Sequence, residues 1–192
     1  MITFVRHGET VVNREGRLQG RSDAVLSDVG VAQAAALAAG LASSPVTRVL
    51  SSPLQRARAT AAAIANVHGI EVECDERLIE LDYGKWDTLP LRDIPADAWT
   101  TWRSDSDFAP PGGERLTDVS ARVESFIADL ATDDLVVAVS HVSPIKAAVC
   151  IALDVGVHAT WNMHLELASL TRIGFRPGGV PFLQTYNDIT YR

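Results

Sequence analysis

Arg6, His7 and Gly8 follow directly on the apolar run from Ile2 to Val5. A short apolar run of this kind reads as a buried strand. A cation, an imidazole and a permissive backbone turn therefore fall together at its carboxyl end. A second apolar run, Leu135 to Ser140, is followed by His141. Arg56 and Glu80 lie between the two histidines. These side chains suit phosphoryl transfer. A phosphomonoester dianion needs cations and the backbone amides of a helix start. Guanidiniums stay charged at any working pH. A neutral imidazole can attack phosphorus and carry the phosphoryl group. A carboxyl group such as Glu80 can protonate the leaving alkoxide. Alone, Arg6-His7-Gly8 would be a strand end with a surface histidine. The later stretches supply what the chemistry needs opposite it.

The elements that must position these groups are legible in outline. Residues 11 to 26 are polar, contain Gly16 and Gly20, and read as a loop. Ser27 caps a helix over 28–42. Thr47 to Ser51 is a short strand. Ser52-Pro53-Leu54-Gln55 has serine at N-cap, proline at N1 and glutamine at N3, so a helix is expected over 53–66 with Arg56 in its first turn, where the macrodipole also favours an anion. Glu71 to Cys74 reads as a strand and Glu80 to Trp86 as a loop. Residues 87–114 form a short helical excursion around Trp99 and Trp102, closed by Pro110-Pro111-Gly112-Gly113. A helix over 115–131 precedes the strand Leu135 to Ser140, and Ser143-Pro144 opens another to about 152. Leu165 to Phe175 and Val180 to Tyr186 flank the turn Arg176-Pro177-Gly178-Gly179. Alternating strands and helices predict a mainly parallel sheet with helices on both faces. Ligands of such sheets bind beyond the carboxyl ends of the strands, where His7 and His141 fall.

The composition narrows the rest. At 192 residues the chain suffices for a single domain with a full core. With 17 basic against 24 acidic residues its net charge is −7. That argues against nucleic acid and against an anionic membrane surface, so a bound anion must meet a local cluster of cations. Cys74 and Cys150 are too few for a disulfide framework and not spaced as a metal pair. Both are expected as buried free thiols. No His, Cys, Asp and Glu cluster has metal-ligand spacing. The chain opens directly on its first strand, without a basic leader or long apolar span, and the expected compartment is the cytoplasm.

The ordered pieces Arg6-His7-Gly8-Glu9-Thr10, Asn13 with Leu18-Gln19-Gly20, Leu26-Ser27-Asp28-Val29-Gly30, Ser51-Ser52-Pro53-Leu54-Gln55-Arg56-Ala57, Glu80 with Gly84 and Trp86, Gly112-Gly113-Glu114, and Ser140-His141 resemble the histidine phosphatase superfamily, also called phosphoglycerate mutase-like. The match spans nearly the whole chain. It implies a three-layer α/β/α domain over 1–192, with 87–114 as a small lid-like excursion. It implies His7 as the phosphorylated nucleophile, Glu80 as proton donor, and Arg6, Arg56 and His141 as holders of the phosphoryl group. Asn13, Gln19, Gly20 and Val142 would lie around the substrate. No metal or cofactor is implied. Two departures stand out. Val142 replaces the glycine that commonly follows the second histidine, and Asp87-Thr88 replaces a common Glu-Gly pair.

The expected activity is hydrolysis of a small phosphorylated metabolite. Phosphoglycerate mutase chemistry and a non-catalytic binding protein of the same fold are the alternatives. Lys85, Arg92 and Arg103 are scattered, which favours a phosphatase over a mutase. The oligomeric state is open, a homodimer included. Trp99 and Trp102 either pack on the domain or line the substrate mouth; their place between the acid and Gly112-Gly113 favours lining. Arg58, two residues past Arg56, should face solvent. For Arg21 a rim cation and a solvated charge weigh equally. His68 should be a surface residue at a helix end, and His158 and His164 loop residues.

Overall fold

The computed structural model describes residues 1–130 and 134–191. Its strands are β1 (Ile2–Arg6), β2 (Val46–Ser51), β3 (Val72–Cys74), β4 (Leu135–Ser140), β5 (Leu170–Phe175) and β6 (Pro181–Asp188). They form a six-stranded mixed sheet in the order β3-β2-β4-β1-β5-β6. The first four of these run parallel, and β5 and β6 are antiparallel additions at the β1 side. The helices are α1 (Val11–Arg14), α2 (Asp28–Leu41), α3 (Gln55–His68), α4 (Ala96–Ser104), α5 (Leu116–Asp129) and α6 (Val142–Leu153).

Strand periodicity divides the interior in two. Ile2 and Phe4 of β1 with Val136 and Ala138 of β4 face one way, onto Val119, Val123 and Phe126 of α5 and Ile145 and Ala148 of α6. Val5, Val137 and Val139 face the other way, onto Leu37 and Leu41 of α2 and Ala57, Ala61 and Ile64 of α3. The result is the expected α/β/α layering. Among the described residues no helix is long and apolar enough to cross a membrane.

Several boundaries shift for physical reasons. The polar 11–26 stretch contains α1, capped by a reciprocal Thr10–Asn13 pair. Ser27 does cap α2, accepting from Gly30 N–H at 3.1 Å. Ser52 does not cap α3. That helix starts at Gln55, whose N–H is met by Asp23 Oδ1 at 2.7 Å from the distant loop. The helix ends on Gly69 in the left-handed region, φ 66°. The stretch 165–169 is not strand. Its backbone turns through Ala168 at φ 52° and supplies groups to the site, described below. The expected end of the 115–131 helix at residue 131 lies outside the described residues. Cys150 is buried, but Cys74 is exposed, because β3 is a three-residue strand at the sheet edge.

Candidate active site

The parallel β1–β4 pairing sets Arg6 beside Ser140. The next residues, His7 and His141, therefore emerge side by side, with ring centroids 5.0 Å apart. Strand β2 pairs on the far side of β4, Ser51 opposite Val139, and delivers Ser52 to His141. Ser52 Oγ lies 2.7 Å from His141 Nε2. Three neighbouring strand ends thus assemble residues that are far apart in the chain.

His7 is fixed from several sides. Its N–H donates to Ser140 O and its carbonyl accepts from Ala168 N–H. Gly8 N–H donates to Thr60 Oγ1 at 3.1 Å, which itself donates to Arg56 O. Gly8 is required here, because a Cβ would sit 2.5 Å from the carbonyl oxygen of Gly30 at the start of α2. His7 Nδ1 lies 2.7 Å from Gly8 O. A carbonyl only accepts, so Nδ1 carries the proton and Nε2 keeps its lone pair. Arg56 Nε donates toward that nitrogen at 3.2 Å. Burial, then the charges of Arg56 and Arg6, hold the His7 pKa well below the ordinary 6.5. The imidazole is neutral at physiological pH.

Arg56 is fully buried. Its guanidinium donates to Ser22 O at 2.8 Å and Gly20 O at 2.7 Å. With the contact to His7, three of the five donors of an arginine are used and two are spare. Burial lowers its pKa, while Glu80, Asp23 and Asp87 oppose that shift. Arg6 donates to Leu165 O at 2.5 Å, and its buried Nε has no partner among the described residues. Burial brings the Arg6 pKa down to about 10, so it remains a cation at neutral pH. The irregular 165–169 segment thus anchors both Arg6 and His7, as Ser169 O also accepts from Arg6 N–H.

His141 is wholly buried, and its Nδ1 has no partner among the described residues. Burial, then Arg56 and His7, hold its pKa well below 6.5. His141 directly precedes α6. The start of that helix meets Glu80, which is 3% exposed. Glu80 Oε2 accepts from Val142 N–H at 3.0 Å. Oε1 accepts from Ser143 N–H at 3.1 Å and from Leu81 N–H at 2.7 Å. Oε1 is saturated, whereas Oε2 keeps a lone pair to spare.

Arg6, His7, Asn13, Gln19, Glu80 and Val142 line one cleft of about 340 Å³, together with Tyr83, Leu91, Lys146, Arg17 and Leu18. Arg56 and His141 each contact His7 but are not among the lining residues, nor is Gly20, which acts through its carbonyl on Arg56. Asn13 Oδ1 accepts from Thr10 N–H, and Thr10 Oγ1 reaches Gln19 Oε1 at 2.7 Å. The Gln19 amide nitrogen is buried and unpartnered among the described residues.

Neither Trp99 nor Trp102 is among the residues lining this cleft, though Trp102 lines a smaller cavity beside it. Trp102 is 2% exposed and forms the centre of an aromatic cluster with Tyr83, Trp86, Trp99 and Trp161, ring centroids 5.0–5.8 Å away. Two indoles on one face of α4 bury more apolar area in that cluster than they would at a wet mouth. Arg58 is exposed. Arg21 is exposed and pairs with Asp82 and Glu114, both at 3.4 Å. His164 is exposed beside Glu166, His158 is exposed, and His68 is half-buried.

Sequence reasoning missed four contributors. Asp87 accepts from Gly20 N–H at 2.8 Å and Ser22 N–H at 2.7 Å, and so holds the two carbonyls that grip Arg56. The Ser52 contact to His141, Tyr83 and Lys146 are the others. Asp87 leaves a signal as a departure from the usual residue, while the sequence marks Ser52 only as a helix cap.

Parallel strands that end in paired histidines, with buried arginines and a carboxylate on a helix start, define a phosphoryl-handling α/β protein. The chain belongs to the histidine phosphatase superfamily (branch 1), whose family model matches residues 2–189. It is 34% identical to a bifunctional protein of Mycobacterium tuberculosis, over 99% of this chain but 54% of the relative; the chain thus spans about half the length of that curated relative. It is also 34% identical to phosphoserine phosphatase 1 of Hydrogenobacter thermophilus, over 90% of this chain and 85% of the other. A solved mycobacterial glucosyl-3-phosphoglycerate phosphatase complexed with VO3 superposes with a TM-score of 0.89 at 32% identity, covering 97% and 98% of the two chains.

Proposed function

We propose that this protein hydrolyses a small phosphomonoester, without a metal, through a phosphohistidine on His7. The observation that carries the reading is the His7 tautomer. Nδ1–H is committed to Gly8 O, so the lone pair belongs to Nε2, beside the Arg56 guanidinium. In the first step Nε2 attacks phosphorus. The Nε2–P bond forms as the bond to the ester oxygen breaks. Arg6 and the spare donors of Arg56 neutralise the phosphoryl oxygens, and the unpartnered Nδ1 of the uncharged His141 donates a hydrogen bond to one of them. Most of the catalysis is this positioning and charge neutralisation. Glu80 Oε2, the oxygen with a free lone pair, carries the proton to the leaving alkoxide. In the second step water attacks the phosphohistidine, Glu80 takes its proton, and inorganic phosphate leaves.

The relatives named phosphatases support hydrolysis over mutase transfer, as do the scattered cations of the 87–114 segment. Arg92 is largely exposed and near Asp93, and Arg103 lies over the Trp99 ring. Rapid acid-free quench with a 32P-labelled substrate, followed by peptide mapping, should find base-stable, acid-labile label on His7 and none in His7→Ala. Label on His141 alone, or recovery of an isomerised phosphoester in place of phosphate, would overturn the reading.

A further inference from the structure

A second, smaller cavity of about 70 Å³ adjoins the cleft, and the two share Tyr83, Val142 and Lys146 in their walls. Trp102 and Trp161 close the small cavity. A single water needs only ~10–15 Å³ of such space, so a larger polar group fits. Its chemistry is one-sided. The indole N–H groups of Trp102 and Trp161 are both buried and both without a partner among the described residues. A buried unpaired N–H is costly, and Trp donors normally find an acceptor. Among the described residues, no carboxylate side chain lines this cavity.

Lys146 supplies the charge. It stands on α6 one turn beyond Val142, half-buried, and its ammonium makes no hydrogen bond or ion pair with another described residue. Burial, then the Arg6 charge, lower its pKa, while the carboxyl group of Glu80 across the cleft opposes that shift. Charged groups in this protein are commonly paired, including Arg122 with Glu114 and Arg172 with Asp188. An unpaired ammonium at the shared wall of two cavities, beside neutral N–H donors, is a receptor for an anion. A single positive charge and a small cavity suit a carboxylate. A second phosphoryl group, with its double charge, would call for more cations.

We infer that Lys146 is a specificity-determining residue: it receives a carboxylate carried by the phosphomonoester, seated at the small cavity next to the Trp102 and Trp161 indoles. The inference rests on the cleft being the phosphomonoester site. It assigns the substrate class as phosphorylated hydroxy acids or amino acids.

The test compares two substrate pairs that differ by the carboxylate: phosphoserine with phosphoethanolamine, and 3-phosphoglycerate with glycerol 3-phosphate. Steady-state kinetics and calorimetric affinities are measured on the wild type, Lys146→Met, Lys146→Arg and Trp102→Phe. The wild type should favour at least one carboxylated partner. A charge-assisted contact is worth about 10–100-fold, so Lys146→Met should lose that factor on the carboxylated substrate, mainly in KM. It should lose less than about threefold on the uncarboxylated partner. Lys146→Arg should restore part of the preference, and Trp102→Phe, which keeps a ring and deletes the N–H, should lose a smaller part. Equal losses on both members of each pair would overturn the inference, placing Lys146 with the phosphate site. No carboxylate preference in the wild type would overturn it too. If no phosphoester is turned over, the hydrolytic reading fails by itself, and the affinity ratios still decide the carboxylate site.

Discussion

Glu80→Gln perturbs two things that the structure ties together: the proposed proton donor and the start of α6. The carboxylate accepts from three backbone N–H groups, two on Oε1 and one on Oε2. An amide has one acceptor oxygen. Placed at the Oε1 position, it keeps Leu81 and Ser143 but turns its NH2 toward Val142 N–H. A buried donor left unsatisfied costs about 1–3 kcal/mol. Removing the negative charge from the helix start adds about 0.3–1 kcal/mol, more when partly buried. The variant should therefore lose roughly 1–4 kcal/mol, and at about 2–4 °C per kcal/mol for a chain of this size its Tm should fall by roughly 3–15 °C. Urea unfolding and thermal melts at pH 7.5 measure this. Rates are then compared at a temperature where both proteins are folded. An alkyl phosphate, whose leaving group needs a proton, should lose about 10²–10⁴, and p-nitrophenyl phosphate far less. An unchanged Tm would refute the capping role. Equal losses on both substrates would refute the donor role, and would mean that Glu80 acts by holding α6 and, through it, His141.

Both histidines have pKa values depressed by burial and neighbouring arginines. The unfolded chain therefore binds protons first as pH falls, so stability is complete above about 6.5 and declines below it, by at most ~1.4 kcal/mol per pH unit for each histidine. Urea midpoints at pH 7.5 and 5.5 should show the drop, and His141→Gln should shrink it; a drop of unchanged size would refute the assignment. Asp87→Ala releases Gly20 and Ser22 and so the grip on Arg56. It should lower kcat/KM by up to roughly 10²-fold, with Asp87→Asn intermediate, and an unaltered kcat/KM would remove Asp87 from the site. Trp102→Ala should cost about 3–5 kcal/mol in urea unfolding, and a loss below about 1 kcal/mol would return Trp102 to a solvent-lined position.

Much of the layout is local and was readable. Apolar runs with a strand period mark β1 and β4, and the residues after them, His7 and His141, are set by chain continuity. Ser27 caps α2 as its spacing implies, because a cap acts within three residues. Where the local rule met a tertiary competitor, it lost. Ser52 has the local pattern of an N-cap, yet its hydroxyl serves His141, 89 residues away, and α3 takes its cap from Asp23, 32 residues before Gln55. The sheet order is the decisive tertiary fact. Only the insertion of β4 between β1 and β2 makes His7, His141 and Ser52 neighbours, and nothing in the spacing of three apolar runs specifies which lie side by side. The same holds for the grip of the Gly20 and Ser22 carbonyls on Arg56 and for the burial of Trp102. Side-chain periods report which face of an element is covered, not what covers it. The residue types of the candidate site were therefore legible in the chain, while its charge balance, from the neutral His7 to the unpaired Lys146, arises only when the strand ends and α6 are packed together.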